Sequence, residues 1–108
     1  MKGMGKERTA IEAAVAAFRA ATTAGRAFLA DEPASLWVRE ASAANEKLAL
    51  AHKVLDPLTE APHLKGYKDV LELLDRASAH VMYASYGKRD ELESLEALLA
   101  RIDAIPLD

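Results

Sequence analysis

The amino-acid sequence predicts an all-α protein, a single-domain up-and-down four-helix bundle that covers residues 1–108. Three observations lead to this prediction. The chain has 23 alanines and 15 leucines against four prolines and five glycines, a composition that favours helix over sheet. Four segments repeat apolar residues at intervals of three and four, as one side of a helix does. The prolines stand at the edges of these segments or between them.

The first helix is predicted over residues 6–29, with a core-facing stripe of Ile11, Val15, Phe18, Thr22, Gly25 and Leu29. A second face is almost entirely alanine and ends in Phe28; its small residues are Ala10, Ala13, Ala17, Ala20, Ala21 and Ala24. Small side chains let another backbone come close. We expect this face to be covered either by another helix of the same chain or by a second subunit.

The second helix is predicted over residues 33–56 and carries two apolar stripes, where a surface helix needs one. The first stripe consists of Trp37, Ala41, Ala44, Leu48, Ala51 and Leu55. The second lies about 100° round the helix and consists of Leu36, Ala43, Leu50 and Val54. The first stripe is expected to face the first and third helices. The second is expected to face either the fourth helix or another molecule, and the sequence leaves that choice open.

The third and fourth helices are predicted over residues 67–85 and 90–105. The buried side of the third contains Val70, Leu71, Leu73, Leu74, Ala77, Val81 and Ala84. Gly87 is placed to end it. The fourth begins at Asp90, a capping residue, and its stripe contains Leu92, Leu95, Leu98, Leu99, Ile102 and Ile105.

Two tyrosines near the end of the third helix are candidates for binding a partner. Tyr83 and Tyr86 project to its polar side, and Met82 lies at the boundary. Large aromatic side chains on a polar face are typical of protein interfaces, because they bury much area at small entropic cost. Phe28, at the end of the alanine face, joins this set. The alternative is that the tyrosines cap the end of the bundle.

Charge is unevenly distributed along a chain whose net charge is −3. Residues 1–26 hold five basic side chains against two acidic ones, whereas residues 88–108 hold three against six. This asymmetry predicts antiparallel packing of the first and last helices, or simple solvation. The alternative is weak nucleic-acid binding through the basic residues Lys2, Lys6, Arg8, Arg19 and Arg26. The mild acidic balance makes nucleic acid the lesser alternative.

The chain offers no constellation that demands a reaction. It has no cysteine, and its three histidines are not expected to have a ligand partner at helical spacing. His52 and His80 are predicted to lie at the core boundary with a satisfied ring nitrogen. The acids Glu91, Glu93 and Glu96 are interpreted as a solvated face. We therefore predict no enzymatic activity, no metal and no cofactor.

Residues 63–66, His-Leu-Lys-Gly, resemble the phosphorylatable motif of histidine phosphotransfer domains, which are also helical bundles of this length. In that family the leucine and lysine each stand one position further from the histidine. The resemblance implies a phosphotransfer module in which His63 accepts the phosphoryl group.

No apolar run of about 18 residues is present to span a membrane, and the basic N-terminus does not lead into a signal-peptide core. Without cysteine, a reducing cytoplasm is the expected location. The surplus of apolar and aromatic surface predicts a cytoplasmic interaction protein, a homodimer of the antiactivator, immunity or assembly-chaperone type that binds and occludes another protein. The predicted contact residues are Met82, Tyr83, Tyr86 and Phe28, with a dimer or partner stripe of Leu36, Leu50 and Val54.

Overall fold

The computed structural model of the protein describes residues 3–29, 34–58, 64–84 and 89–107, with side chains for 5–27, 37–58, 64–81 and 90–107. The four helices of these ranges are α1 (Gly3–Leu29), α2 (Ala34–Leu55), α3 (Lys65–Ala84) and α4 (Arg89–Asp103). Their number, order and approximate bounds confirm the all-α four-helix prediction. The molecule is elongated, with extents of 46 × 21 × 18 Å.

The helix ends differ from the prediction by a few residues. Helix α1 begins at Gly3 rather than residue 6, and α3 begins at Lys65 rather than residue 67. Helix α4 begins at Arg89, so Asp90 lies inside its first turn instead of capping it, and it ends at Asp103 rather than residue 105. After Asp103 the chain forms a tighter turn than an α-helix, because the Ile105 amide donates over 3.0 Å to the Ile102 carbonyl, three residues back.

Successive helices run antiparallel and pack side by side, and α4 also packs against α1. The most extensive contact joins α1 to α2, and α1 also touches α3 across the centre. Helices α2 and α4 occupy opposite corners, and within the described ranges no Cα atom of one lies within 8 Å of a Cα atom of the other. Of the two neighbours expected for the second stripe of α2, the fourth helix or another molecule, α4 is therefore too far away to cover Leu50 and Val54.

The predicted core stripes are buried at most of their described positions; Val15 and Ile105 are partly covered, and the side chains of Leu29 and Ala84 lie outside those described. On α2 the stripe from Trp37 to Leu55 is buried apart from Ala41, which is partly covered. Trp37 is the largest buried side chain, and its indole lies against Gly25 of α1 and near Leu92 of α4. Tyr67, which the sequence did not assign to the core, is 1% exposed.

The alanine face of α1 is largely covered within the same chain. Ala21 and Ala24 are buried, and Ala10 and Ala17 pack against the core. Ala20 alone in this set is exposed. The sequence left open whether another helix of the chain or a second subunit covers this face. For most of the face it is the same chain.

None of the helices that the structure describes is both long enough and apolar enough to cross a bilayer.

Candidate functional site

A mainly apolar groove lies along the outside of the bundle between α1 and α2. We call it the α1–α2 groove. Its volume is about 540 Å³. The lining residues are Gly5, Lys6, Thr9, Ala10 and Ala13 from α1 and Lys47, Leu50, Lys53 and Val54 from α2.

Leu50 is the main apolar side chain that the groove leaves open to solvent. It is 49% exposed, and Val54 beside it is half-buried. Leu50 stands five residues before Leu55, about 140° round the helix, so the rotation that buries Leu55 turns Leu50 outward. Val38 is the other large apolar residue of the described side chains that is exposed, but it does not line the groove. The second stripe of α2 is therefore uncovered at its C-terminal half.

Three exposed lysines form the rim of the groove: Lys6, Lys47 and Lys53. None of them has an ion pair or a side-chain hydrogen bond within the described part of the chain. By contrast, the arginines that face α4 from α1 are all engaged. The rim thus keeps its positive charge on a molecule whose net charge is −3.

The arginines of α1 bind α4 and the segment after it. Arg19 pairs with Asp103, and Arg26 donates from Nε and Nη2 to the two carboxylate oxygens of Glu96, each over 2.5 Å. Arg8 donates to the carbonyl of Leu107 over 2.5 Å. These bonds join a basic helix to an antiparallel acidic one, as the charge asymmetry predicted. Three of the five residues of the nucleic-acid alternative therefore have partners within the chain.

His52 links α2 to α3 through both of its ring nitrogens. Nδ1 lies 3.0 Å and 3.1 Å from the carboxylate oxygens of Asp56, and Nε2 lies 2.7 Å from Oδ1 of Asp75. The hydrogen bond to Asp75 raises the pKa of His52 most, Asp56 adds to it, and partial burial opposes both. The boundary position was predicted correctly. The statement that no ligand partner stands at helical spacing was wrong, because Asp56 follows four residues later and was visible in the sequence.

The acids of α4 are less solvated than the sequence suggested. Glu91 pairs with Nδ1 of His80 across the α3–α4 contact, and Glu96 binds Arg26. Only Glu93 of the three fits the predicted solvated face. The paired acids have a structural role, because each holds α4 against a neighbouring helix.

Three of the candidate contact residues, Phe28, Met82 and Tyr83, belong to helix ends at one end of the bundle, which we call the aromatic end. Phe28 is in the last turn of α1, and Met82 and Tyr83 are in the last turn of α3. Antiparallel packing places these two ends together, although their side chains lie outside those described. Tyr86 lies outside the described residues altogether.

Leu36 also belongs to this end, in the first turn of α2. It lies about 21 Å along the helix from Leu50. The predicted dimer or partner stripe is thus divided between the aromatic end and the α1–α2 groove.

The histidine of the phosphotransfer resemblance, His63, lies outside the described residues, and that alternative stays a prediction. Within the described ranges, no three His, Asp or Glu side chains are arranged to hold a metal ion.

The fold and the groove define an all-α bundle with an open, lysine-rimmed apolar groove on one side. Comparison with known proteins finds no match: no family model matches the chain, and no curated protein or solved structure matches it significantly.

Proposed function

We propose that the protein is a non-enzymatic interaction protein, a small helical regulator or adaptor that binds a partner protein and occludes part of its surface. The observation that carries the proposal is Leu50, 49% exposed in an apolar groove. Burying a whole leucine side chain is worth about 1.5–3 kcal/mol, so covering the exposed half would contribute about 1 kcal/mol. A partner that fills the groove would gain this and the burial of Val54.

The groove's composition supports binding over catalysis. Its lining includes neither a carboxylate nor an imidazole among the described residues. Paired acid and base groups in a pocket are what proton-transfer catalysis requires. An apolar floor with a charged rim is instead the usual make-up of a protein interface.

We also propose a homodimer, and place it at the aromatic end rather than at the groove. In a two-fold symmetric contact each surface meets its own copy. A dimer through the groove would bring together two surfaces that each carry Lys6, Lys47 and Lys53, and like charges in an interface oppose association. Phe28, Met82, Tyr83 and Tyr86 carry no charge, so a contact through them has no such penalty.

A matched pair of substitutions on α2 tests the partner-binding proposal. Leu50→Asp puts a charge into the groove, whereas Ala49→Asp puts the same charge on an exposed position that does not line it. We expect wild-type protein and Ala49→Asp to retain the same protein from an extract of the source organism, and Leu50→Asp to lose it. Both variants should unfold near the wild-type temperature. Equal retention by all three, or by none, would contradict the proposal.

A double substitution tests the aromatic end. Tyr83→Ala with Tyr86→Ala should leave the melting temperature nearly unchanged and weaken self-association, measured by light scattering at low micromolar concentration. A large drop in melting temperature would make the tyrosines core residues and remove this surface from the proposal. A wild-type protein that is monomeric throughout would remove the dimer.

A further inference from the structure

From the shape and charge of the α1–α2 groove we infer that its occupant is an amphipathic α-helix of the partner, with acidic residues flanking its apolar face. The inference rests on the proposed function and names the kind of partner segment.

The shape of the groove fits a third helix. One wall is built from small residues, Thr9, Ala10 and Ala13, and the other carries Leu50 and Val54. Small residues let a third backbone approach closely, and the larger side chains form the ridge that a helix groove accepts. A helix laid here would give the second stripe of α2 the neighbour that α4, at the opposite corner, does not supply.

The length of the groove sets the length of the contact. The lining residues run over nine positions on α1 (5–13) and eight on α2 (47–54), or about 10–12 Å at a rise of 1.5 Å per residue. This corresponds to about two helical turns. An incoming helix would therefore use apolar residues at positions i, i+3 or i+4, and i+7.

The three rim lysines stand at the two ends of the apolar lining of the groove. Gly25 packs on Trp37, and the antiparallel register that follows sets Lys6 near the C-terminal end of α2, beside Lys53. Lys47 stands at the other end of the groove, about 9 Å away from Lys53 along α2. Acidic residues beside both ends of a bound apolar face would meet a positive charge at each.

These lysines have no competing acid partner among the side chains that the structure describes. Exposed ion pairs contribute little to affinity, but they steer association and select between partners. The rim lysines therefore make the groove prefer a partner with acidic residues, and the apolar lining contributes most of the affinity.

Other occupants fit less well. A second copy would present lysines to lysines. A lipid surface needs apolar side chains that protrude from the protein, whereas Leu50 forms the wall of a concavity. A nucleic acid would leave the apolar floor without a matching contact, because phosphates meet basic groups and bases need hydrogen bonds or stacking.

Two designed helical peptides are the probes. Both carry leucine at i, i+3, i+4 and i+7, and the flanking positions are all glutamate in one and all lysine in the other. We expect fluorescence anisotropy to show binding of the glutamate peptide at least about tenfold tighter than that of the lysine peptide. Leu50→Asp should lose the binding, Ala49→Asp should keep it, and Lys47→Glu with Lys53→Glu should reverse the preference. Equal binding of both peptides, or of neither, would overturn the inference.

Three further outcomes separate this inference from the proposed function. If a host partner is retained through Leu50 but the glutamate peptide does not bind, the proposed function stands and the inference fails. Leu50-dependent binding to vesicles of phosphatidylserine without peptide binding would identify a membrane surface and overturn it. Leu50-dependent self-association in light scattering would identify a second copy and overturn it as well.

Discussion

The indole ring of Trp37 lies directly against the bare backbone of Gly25. A Cβ atom added at Gly25 would stand 3.0 Å from Cζ3 and 3.3 Å from Cε3 of the indole, and 3.1 Å from Cδ1 of Leu92. Both neighbours are buried, with 1% of Trp37 and 3% of Leu92 exposed. Helices α1, α2 and α4 thus approach one another closely at Gly25, where an added methyl group would press on both neighbours, and this explains a glycine near the end of α1.

Gly25→Ala should destabilise the protein, although alanine is the better helix former by about 1 kcal/mol. Overpacking a core costs about 1–3 kcal/mol, and the indole that the new methyl group would press on is buried. We expect a net loss of up to about 2 kcal/mol in the free energy of unfolding, measured by urea denaturation. Gly5→Ala is the control, because a Cβ there meets nothing within 4 Å. An equal gain in both variants would show that the contact with Trp37 is not restrictive.

Gly66→Ala should release the segment that follows α4. A Cβ at Gly66 would stand 2.8 Å from the carbonyl oxygen of Pro106, which is backbone and cannot rotate away. We expect a loss of about 1–3 kcal/mol in unfolding free energy, with a larger increase in amide hydrogen exchange over the wild type at Ile105 and Leu107, which follow α4, than at the amides of α4 itself. Unchanged exchange at these two amides would mean that the approach of Gly66 to Pro106 relaxes without cost.

His52 should make stability depend on pH. Protonated, its ring donates to both Asp56 and Asp75, and the bond to Asp75 is the largest cause of its raised pKa. A group whose pKa is higher in the folded than in the unfolded protein stabilises the fold in its charged form. This contribution is fully present below the ordinary value of 6.5 and is lost as pH rises through the higher folded pKa. We expect the difference in unfolding free energy between wild type and His52→Gln to shrink as pH rises from about 6 to 9.

Asp75→Asn supplies the control for His52. It removes the main cause of the raised pKa of His52. The difference in unfolding free energy between Asp75→Asn and the double variant Asp75→Asn/His52→Gln should therefore vary less with pH than the difference between wild type and His52→Gln. NMR titration of the ring should place the pKa of His52 above 6.5 in the wild type. If the difference in unfolding free energy between wild type and His52→Gln grew with pH, protonated His52 would not stabilise the fold.

The pair between Arg19 and Asp103 should orient α4 more than it stabilises it. The two side chains are 49% and 51% exposed, so solvent screens their attraction. A double-mutant cycle with Arg19→Gln and Asp103→Asn should give a coupling of about 0.2–0.5 kcal/mol that disappears near 1 M salt. Arg39→Gln, on the helix opposite α4, should show no coupling to Asp103→Asn. A coupling that persists in high salt would contradict the screened pair.

The sequence was most informative where a property depends on one helix alone. The spacing of Trp37, Leu48 and Leu55 identified the buried side of α2, because a helix repeats its faces every 3.6 residues. Pro57 and Pro106 located helix ends to within a few residues. Gly25 was placed on the core stripe, although the sequence could not show which side chain fills the space that it leaves.

The sequence was less informative about residues at the borders of helices and about contacts between them. The sequence predicts Tyr67 as the start of the third helix and not as core, since its burial depends on neighbours from elsewhere in the chain. The pairing of His52 with Asp56 follows from a four-residue spacing and was overlooked. Its second bond, to Asp75, lies on another helix and has no signature in the local pattern.

The sequence by itself determined four helices, their order and the buried side of each, because these follow from local spacing and from the prolines between segments. Only the tertiary structure decided which of the two stripes of α2 is covered. Covering a stripe requires a neighbour at the right rotation, and α1 and α3 take the side of Trp37 while α4 stands at the opposite corner. Leu50 is left exposed for this reason, beside lysines that have no ion pair among the described residues. A groove between two helices has no periodicity of its own in the sequence.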